Sequence, residues 1–332
     1  MQPDVNGWFA RRTSMADDWS AEELLHAKRR RRLSVAVVLP ALNEERTIGA
    51  IVSAIREQLA IEVALVDEIV VIDSASTDGT AAVATAAGAR VVAAASVLPQ
   101  FGPAAGKGDA MWRSLAVTES DLIVFVDADL ERFRADVVRG LLGPLLCDGS
   151  VHLVKGAYDR PLREGQSVLP AGGGRVTELV ARPLLNLHWP QLAGIVQPLA
   201  GEWAARRDLL QDLSFPAGYG VEIAVLLDTL RIAGLDAIAQ VDLGARHHRH
   251  QDDAALGRMA AQVWHAVLAR MPGLETPEAD HAPLTDFRRQ AGRIRPRTQE
   301  VDLRERPPMA EMLRPDRQVA ACGGAQPRSW RN

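Results

Sequence analysis

The stretch DLIVFVDADL, Asp121–Leu130, runs an apolar segment straight into two aspartates. Its apolar part, Leu122 to Val126, is what a central strand covered on both faces requires, and two charged carboxylates cannot be held in such a core. Asp127 and Asp129 must therefore fall just past the strand's end, where something offsets their charge. An Asp-x-Asp pair at that place offers hard oxygen donors to Mg2+ or Mn2+ shared with a diphosphate. A turn or a helix cap would equally account for aspartates at a strand end.

Working outward, the same unit recurs. Upstream, SVAVVLP closes at Pro40, and ALNEERTIGAIVSAIREQL carries Ile48, Ile51, Ile55 and Leu59 at helical spacing. DEIVVIDSASTDGTAAVATAAGA repeats strand, loop and helix, with Asp78 or Thr80 able to cap the helix and Gly88 able to close it. RVVAAA is a weaker third strand before the helix KGDAMWRSLAVTES. RADVVRGLLGPLL follows the fourth strand, and VHLVKGAY is the fifth. Alternating units of this length predict an α/β fold with a mostly parallel sheet flanked by helices. The ligand crevice of such a sheet lies beyond the carboxyl ends of its strands, which singles out Pro40–Glu44, Asp73–Asp78 and Asp127–Asp129. At those places Asn43, Glu44, Asp73, Ser74 and Asp78 can bond the edge of uracil or ribose hydroxyls, and helix capping competes for Asn43 and Asp78.

After Tyr158 the alternation breaks. RPLREGQSVLPAGGGRVTE reads as a polar, Gly-rich loop, TELVARPLLNLHWP and GYGVEIAVLLDTLRIAG as helices, and LDAIAQVDLGARHHRHQD as a strand entering a basic, His-rich turn. In GGGRVT, glycines let backbone N–H groups converge, Thr177 can cap the next helix, and Arg175 adds a fork of donors, a combination suited to an anion. On an extended segment Arg246, His248 and His250 share one side. Beyond Met271, Pro and charge accumulate without periodicity, which predicts a short extension and a tail without order from about Arg304.

Composition narrows the class. The 332 residues are 24% charged and 47% hydrophobic, with a formal net charge of -4, so there is no global electrostatic case for nucleic acid. The dense basic run Lys28–Arg32 reads as a solvated leader to the first strand. Cys147 and Cys322 form neither a disulfide framework nor a thiolate metal site, which fits a reducing cytoplasm. No segment approaches the ~18 apolar residues of a membrane helix, and the N-terminus lacks the apolar core of a secretory signal.

VVLPALNEERTI, VIDSASTDGT, GKGDAM and VFVDADL, in this order, resemble the nucleotide-binding half of GT-A fold glycosyltransferases, which use nucleoside diphosphate sugars. AGGGRVTELVARPLL, PLAGEWAARRDLL, GYGVEIAVLLDTL and QVDLGARHHRH narrow the resemblance, over roughly Ser34 to Met271, to the glucosyl-3-phosphoglycerate synthase family of retaining enzymes. That resemblance implies a GT-A, Rossmann-like sheet with a C-terminal acceptor-binding subdomain. Its expected divisions are an N-terminal extension 1–33, a nucleotide-sugar core 34–158, an acceptor-binding part 159–271 and a C-terminal extension 272–332.

It further implies transfer of glucose from UDP-glucose to the 2-hydroxyl of 3-phosphoglycerate with Mg2+, Mn2+ or another divalent cation. A cytoplasmic homodimer at an early step of methylglucose lipopolysaccharide synthesis, with neither nucleic acid nor membrane insertion, is implied as well. The residues carried over for the donor are Pro40, Ala41, Leu42, Asn43, Glu44, Ser74, Lys107, Asp127, Ala128, Tyr219 and Glu222. For the acceptor they are Gly174, Arg175, Val176, Thr177, Arg246 and His250, although the family pattern has Asn where this chain has His250. Asp129 and His248 are the implied metal ligands, with Lys107, Asp127 and Glu222 in catalysis.

Retention leaves two routes, covalent attack by a carboxylate or entry of the acceptor hydroxyl on the leaving-group face. The resemblance favours the second, with a phosphate oxygen of UDP taking the proton, Lys107 at the diphosphate and Glu222 orienting sugar hydroxyls. For Glu222, a partly exposed helix residue paired with an arginine is the plain alternative. Rival functions are a mannosyl-3-phosphoglycerate synthase, another GT-A enzyme including one acting on a lipid phosphate, a nucleotidyltransferase, and a nucleotide-sugar sensor without catalysis.

Overall fold

In the computed structural model the described residues are 2–103, 106–159, 162–164, 167–169, 174–245, 253–274, 279–290 and 292–313. An eight-stranded sheet organises them. Its strands include β1 (Thr13–Met15), β2 (Val35–Ala41), β3 (Glu68–Asp73), β4 (Arg90–Ala93), β5 (Leu122–Phe125) and β6 (Leu153–Asp159). Across the sheet the order is β1, Ile238–Ala245, β6, Trp203–Arg206, β5, β2, β3, β4. Neighbours are parallel except around Trp203–Arg206, which runs antiparallel to both β5 and β6.

The central strands are Val/Ile/Leu runs buried on both faces, as a sheet covered by helices on each side demands. One apolar layer places Ile48, Ile51, Val52 and Ile55 of helix α3 (Ile48–Ile55), with Leu141, Leu142 and Leu145 of α6 (Asp136–Cys147), under Val35, Val37 and Leu39. The other layer sets Met111, Trp112 and Leu115 of α5 (Lys107–Val117), with Ile223 to Leu227 of the helix Val221–Ala233, over Ile123 and Phe125. Gly88, at φ 103, closes α4 (Thr80–Ala87) as its place in the sequence indicates.

Two peripheral expectations are corrected. The N-terminal residues form helices α1 (Pro3–Arg12) and α2 (Ala21–Arg31), and β1 adds an edge strand to the sheet. Trp8 is fully buried, its indole N–H donating to Ile238 O at 2.9 Å. Lys28 opens the run expected to be solvated, yet it is buried: its Nζ donates to Asp67 at 2.7 Å and to Ala64 O at 3.0 Å. A long stem can cover apolar surface while its head finds a carboxylate, which charge density alone does not reveal.

At the other end the chain keeps its order past Arg304. A hairpin pairs His281–Gln290 with Arg293–Asp302, the strand Glu305–Arg306 pairs with Phe215–Pro216, and Met309–Met312 is helical. Arg306 is 5% exposed with its Nε 2.5 Å from Asp109, and the Trp112 indole donates to Pro307 O at 2.7 Å. Partners distant in sequence, Asp109 and Trp112 among them at more than 190 residues, hold this segment, so no local periodicity announces it.

Candidate active site

Three loops leave the carboxyl ends of β2, β3 and β5 and meet beside the N-terminus of α5. Gly106, at φ 148, turns the chain into that helix, and Gly108 lies so close to the backbone of Pro216 that a Cβ would stand 1.9 Å from its carbonyl oxygen. The Asp109 N–H donates to Ala217 O at 2.9 Å. This close approach, open only to glycine at position 108, brings the first turn of α5 against the turn that starts the helix Val221–Ala233. Lys107 and Glu222, each in the first turn of its own helix, are thereby made neighbours.

The Lys107 ammonium bridges two carboxylates, 2.5 Å from Asp127 Oδ1 and 2.8 Å from Glu222 Oε1. Glu222 is 3% exposed, so the reading of it as a partly exposed helix residue paired with an arginine is corrected. Burial pulls the Lys107 ammonium down, but the charges of Asp127 and Glu222 outweigh it and hold the group well above its ordinary value. Asp129 is pushed up to about 6 by burial first, then by Asp127 and Glu44, with Lys107 opposing. Burial also raises the Tyr219 phenol, which feels Lys107 and Asp127 as well.

Cross-links fix the loop edges. The Asn43 N–H donates to Ser76 Oγ at 2.9 Å, and Asn43 Oδ1 accepts from the Thr77 N–H at 2.8 Å. Glu44 N–H donates to Thr80 Oγ1 at 2.8 Å, and the Ser74 N–H donates to Ala41 O at 2.9 Å. Asp78 accepts from the Thr80 N–H and is lowered chiefly by the Thr80 hydroxyl, so its side chain satisfies a donor of the first turn of α4. From α3's edge the buried Thr47 hydroxyl donates to Ala128 O at 2.7 Å, tying the first loop to the Asp-x-Asp loop. Leu42 and Tyr219 stay exposed at the rim, and Pro40 is half-buried.

Gly174 has φ 76, and Arg175 pairs with Asp253 at 2.7 Å. Val176 and Thr177 are buried. The expectation that Thr177 caps a helix is corrected, because Val176 precedes it in helical geometry and Gly174 O already accepts from Glu178 N–H. The Thr177 hydroxyl is instead buried without a hydrogen-bond partner among the described residues. Arg246, His248 and His250 lie outside the described residues.

Sequence reading missed the floor of this site. Because Trp203–Arg206 runs antiparallel between β5 and β6, its N-terminal end reaches the edge where Asp127 lies, with Trp203 opposite Phe125 and Lys155. Gly201 presses on Asp127, since a Cβ there would be 2.1 Å from its Oδ2. Glu202 and Lys155 are fully buried beneath, and burial drives Lys155 down to about 7 against the opposing pull of Glu222. A lysine inside the apolar run HLVKGAY and a glutamate before WAAR were the available signals, since charges in a central strand require partners.

Among the described residues, Glu44, Asp127, Asp129, Glu202 and Glu222 are electrostatically linked here with Lys107 and Lys155. That carboxylate excess, hard oxygen by type, fits a divalent cation shared with a ligand. Among the described residues no three His, Cys, Asp or Glu are grouped to hold a metal by themselves.

Comparison with known proteins gives a consistent result. Residues 36–146 match the model of glycosyl transferase family 2. The glucosyl-3-phosphoglycerate synthase of Mycolicibacterium smegmatis is 47% identical over 309 residues, 93% of this chain and 98% of that protein. The crystal structure of mannosyl-3-phosphoglycerate synthase from Rubrobacter xylanophilus superposes with a TM-score of 0.84 at 40% identity, covering 93% and 98% of the two chains. Glucosyl-3-phosphoglycerate synthase from Mycobacterium tuberculosis, solved with Mn2+, UDP-glucose and phosphoglyceric acid, gives 0.77 at 45% identity over 89% and 95%. That protein is also described with Mg2+ and UDP.

Proposed function

We propose that this chain, which belongs to the glucosyl-3-phosphoglycerate synthase family of glycosyltransferases, moves glucose from UDP-glucose to the 2-hydroxyl of 3-phosphoglycerate with retention. The observation that carries the reading is the Lys107 ammonium set between Asp127 and Glu222 at the carboxyl edge of the sheet. A half-buried cation with two carboxylates can serve a substrate that is part diphosphate and part polyol.

In this reading Pro40 to Glu44, Ser74 and Ala128 line the nucleoside, with Tyr219 at the rim. Asp127 and Glu222 accept hydrogen bonds from sugar hydroxyls, and Lys107 faces the diphosphate oxygens. Asp129, with His248, would hold Mg2+ or Mn2+, which when bound offsets the charge of the departing UDP. Gly174 to Thr177, with Arg246 and His250, would receive the phosphate and carboxylate of the acceptor; the buried Thr177 hydroxyl, without a partner among the described residues, supports a ligand there.

The bond from the anomeric carbon to the UDP oxygen breaks as the bond to the acceptor oxygen forms on the same face. The acceptor proton passes to the phosphate oxygen of UDP. The buried Glu222 stays with Lys107, which suits an orienting group better than a nucleophile. We place the enzyme in the cytoplasm as a homodimer, its product entering methylglucose lipopolysaccharide synthesis.

The likeness to the Rubrobacter xylanophilus protein supports a second reading, in which the sugar is mannose. Incubation with Mg2+, 3-phosphoglycerate and either UDP-glucose or GDP-mannose, scored by nucleotide release and product mass, separates them. No release with 3-phosphoglycerate from either donor would overturn both.

A further inference from the structure

Lys155 lies in β6 with a side chain wholly enclosed, in the middle of the sheet, where an ammonium group is costly. Its Nζ donates to the Ala200 carbonyl at 2.8 Å and stands 5.8 Å from the centre of the Trp203 ring. The segment it holds is otherwise pinned through backbone: Gly156 N–H donates to Glu202 O at 2.9 Å, and Ala200 N–H donates to Gln197 O at 3.1 Å. Gln197 in turn donates to Tyr158 O at 3.1 Å. The next residue, Gly201, has no room for a Cβ because the Asp127 carboxylate fills that space. A continuous chain of contacts thus runs from Lys155 through Ala200 and Gly201 to Asp127, and from there to Lys107 and Glu222.

We propose that Lys155 is a positioning residue, which clamps the Ala200–Gly201 backbone so that it backs the Asp127 carboxylate in its contact with Lys107. The effect on turnover rests on the function proposed above; the effect on geometry does not. An apolar residue of equal volume would fill the space but leave the Ala200 carbonyl without its donor, so the 200–201 turn would be free to shift. Asp127 would follow, and misplacement of a reacting group by about 1 Å is enough to lower turnover on the order of a hundredfold.

The test uses Lys155→Met and Gly201→Ala, singly and together, in the full chain. Crystal structures of both single variants should show the Asp127 carboxylate displaced and its contact with Lys107 lengthened. With the donor and acceptor that the wild type turns over, kcat should fall about a hundredfold with KM for the acceptor little changed. The double variant should be no worse than the poorer single one, because both act at one joint.

Unmoved Asp127 in Lys155→Met, additive losses, or a loss confined to KM would each overturn the inference. A wild type that turns over no sugar donor would overturn the proposed function, while the crystal structures would still decide the role of Lys155.

Discussion

Lys107, half-buried, and Asp109, fully buried, stand two residues apart in the first turn of α5, each between two partners of opposite charge. Asp109 lies between Arg113 at 2.7 Å and Arg306 at 2.5 Å. The guanidinium groups there are also spent on backbone: Arg113 donates to Ala94 O at 3.1 Å and Gly102 O at 2.8 Å, and Arg306 to Phe101 O at 2.9 Å. Around Lys107 the described carboxylates outnumber the ammonium groups, and Asp129 is held near 6 by burial first and then by that crowding. In one cluster the guanidinium groups turn to the fold's own carbonyls, whereas among the described residues the other keeps an excess of carboxylates that a cation or a donor-rich ligand can answer. Buried charge therefore marks architecture when balanced by its ion-pair partners and chemistry when left in excess.

The contrast can be broken by substitution. Asp129→Ala is expected to abolish metal-dependent transfer while circular dichroism shows an intact fold; retained transfer would remove it from the metal site. Lys107→Met should cost about a hundred- to a thousandfold in kcat, measured by UDP release. In the closed cluster Asp109→Asn should instead lower stability by about 3–5 kcal/mol in urea unfolding, with kcat per folded molecule close to wild type. A folded but inactive Asp109→Asn protein would erase the distinction. Glu222→Gln keeps the shape of the site and should lower kcat about a hundredfold; wild-type turnover would remove Glu222 from the mechanism.

Titration sharpens the same comparison. Because the metal-free Asp129 carboxyl protonates near 6, protons compete with the cation below that pH. Mg2+ affinity by calorimetry should then fall as pH drops through about 6, and binding near neutrality should release protons. A flat affinity from pH 7 to about 5 would contradict the assignment. The smallest effect belongs to the half-exposed Arg12–Asp148 pair, where Ser150 and then Arg12 hold the Asp148 carboxyl down to about 2. Its contribution is present above the ordinary value of 3.8 and lost as pH falls through about 2, and Arg12→Ala should cost under about 1 kcal/mol.

Much of this site could be read before any fold was known, and the reason is local. Asp127, Asp129, Asn43 and Glu44 follow apolar strands within a few residues, so strand periodicity alone brings their loops to one edge. Lys107 was legible through its flanking glycines, although its bridge to Glu222 was not. Gly201, Glu202 and Lys155 escaped because their importance depends on an antiparallel strand inserted between β5 and β6, and neighbour order in a sheet leaves no mark in periodicity. The segment 304–312 escaped for a related reason: its polar, Pro-containing sequence resembles a tail until Asp109 and Trp112 offer partners.

By itself, then, the sequence determined the α/β layering, the strands whose ends carry chemistry, and the family whose motifs those ends resemble. Periodicity and strand-end residues act over a few positions, so one chain suffices to read them. Only the tertiary structure decided that Lys107 would be shared by Asp127 and Glu222, that Lys155 would lie beneath them, and that Asp109 would be closed by Arg306. Each of those pairings joins distant elements, the first two through glycine-permitted contacts, and desolvation gives such contacts their weight only once the core has formed.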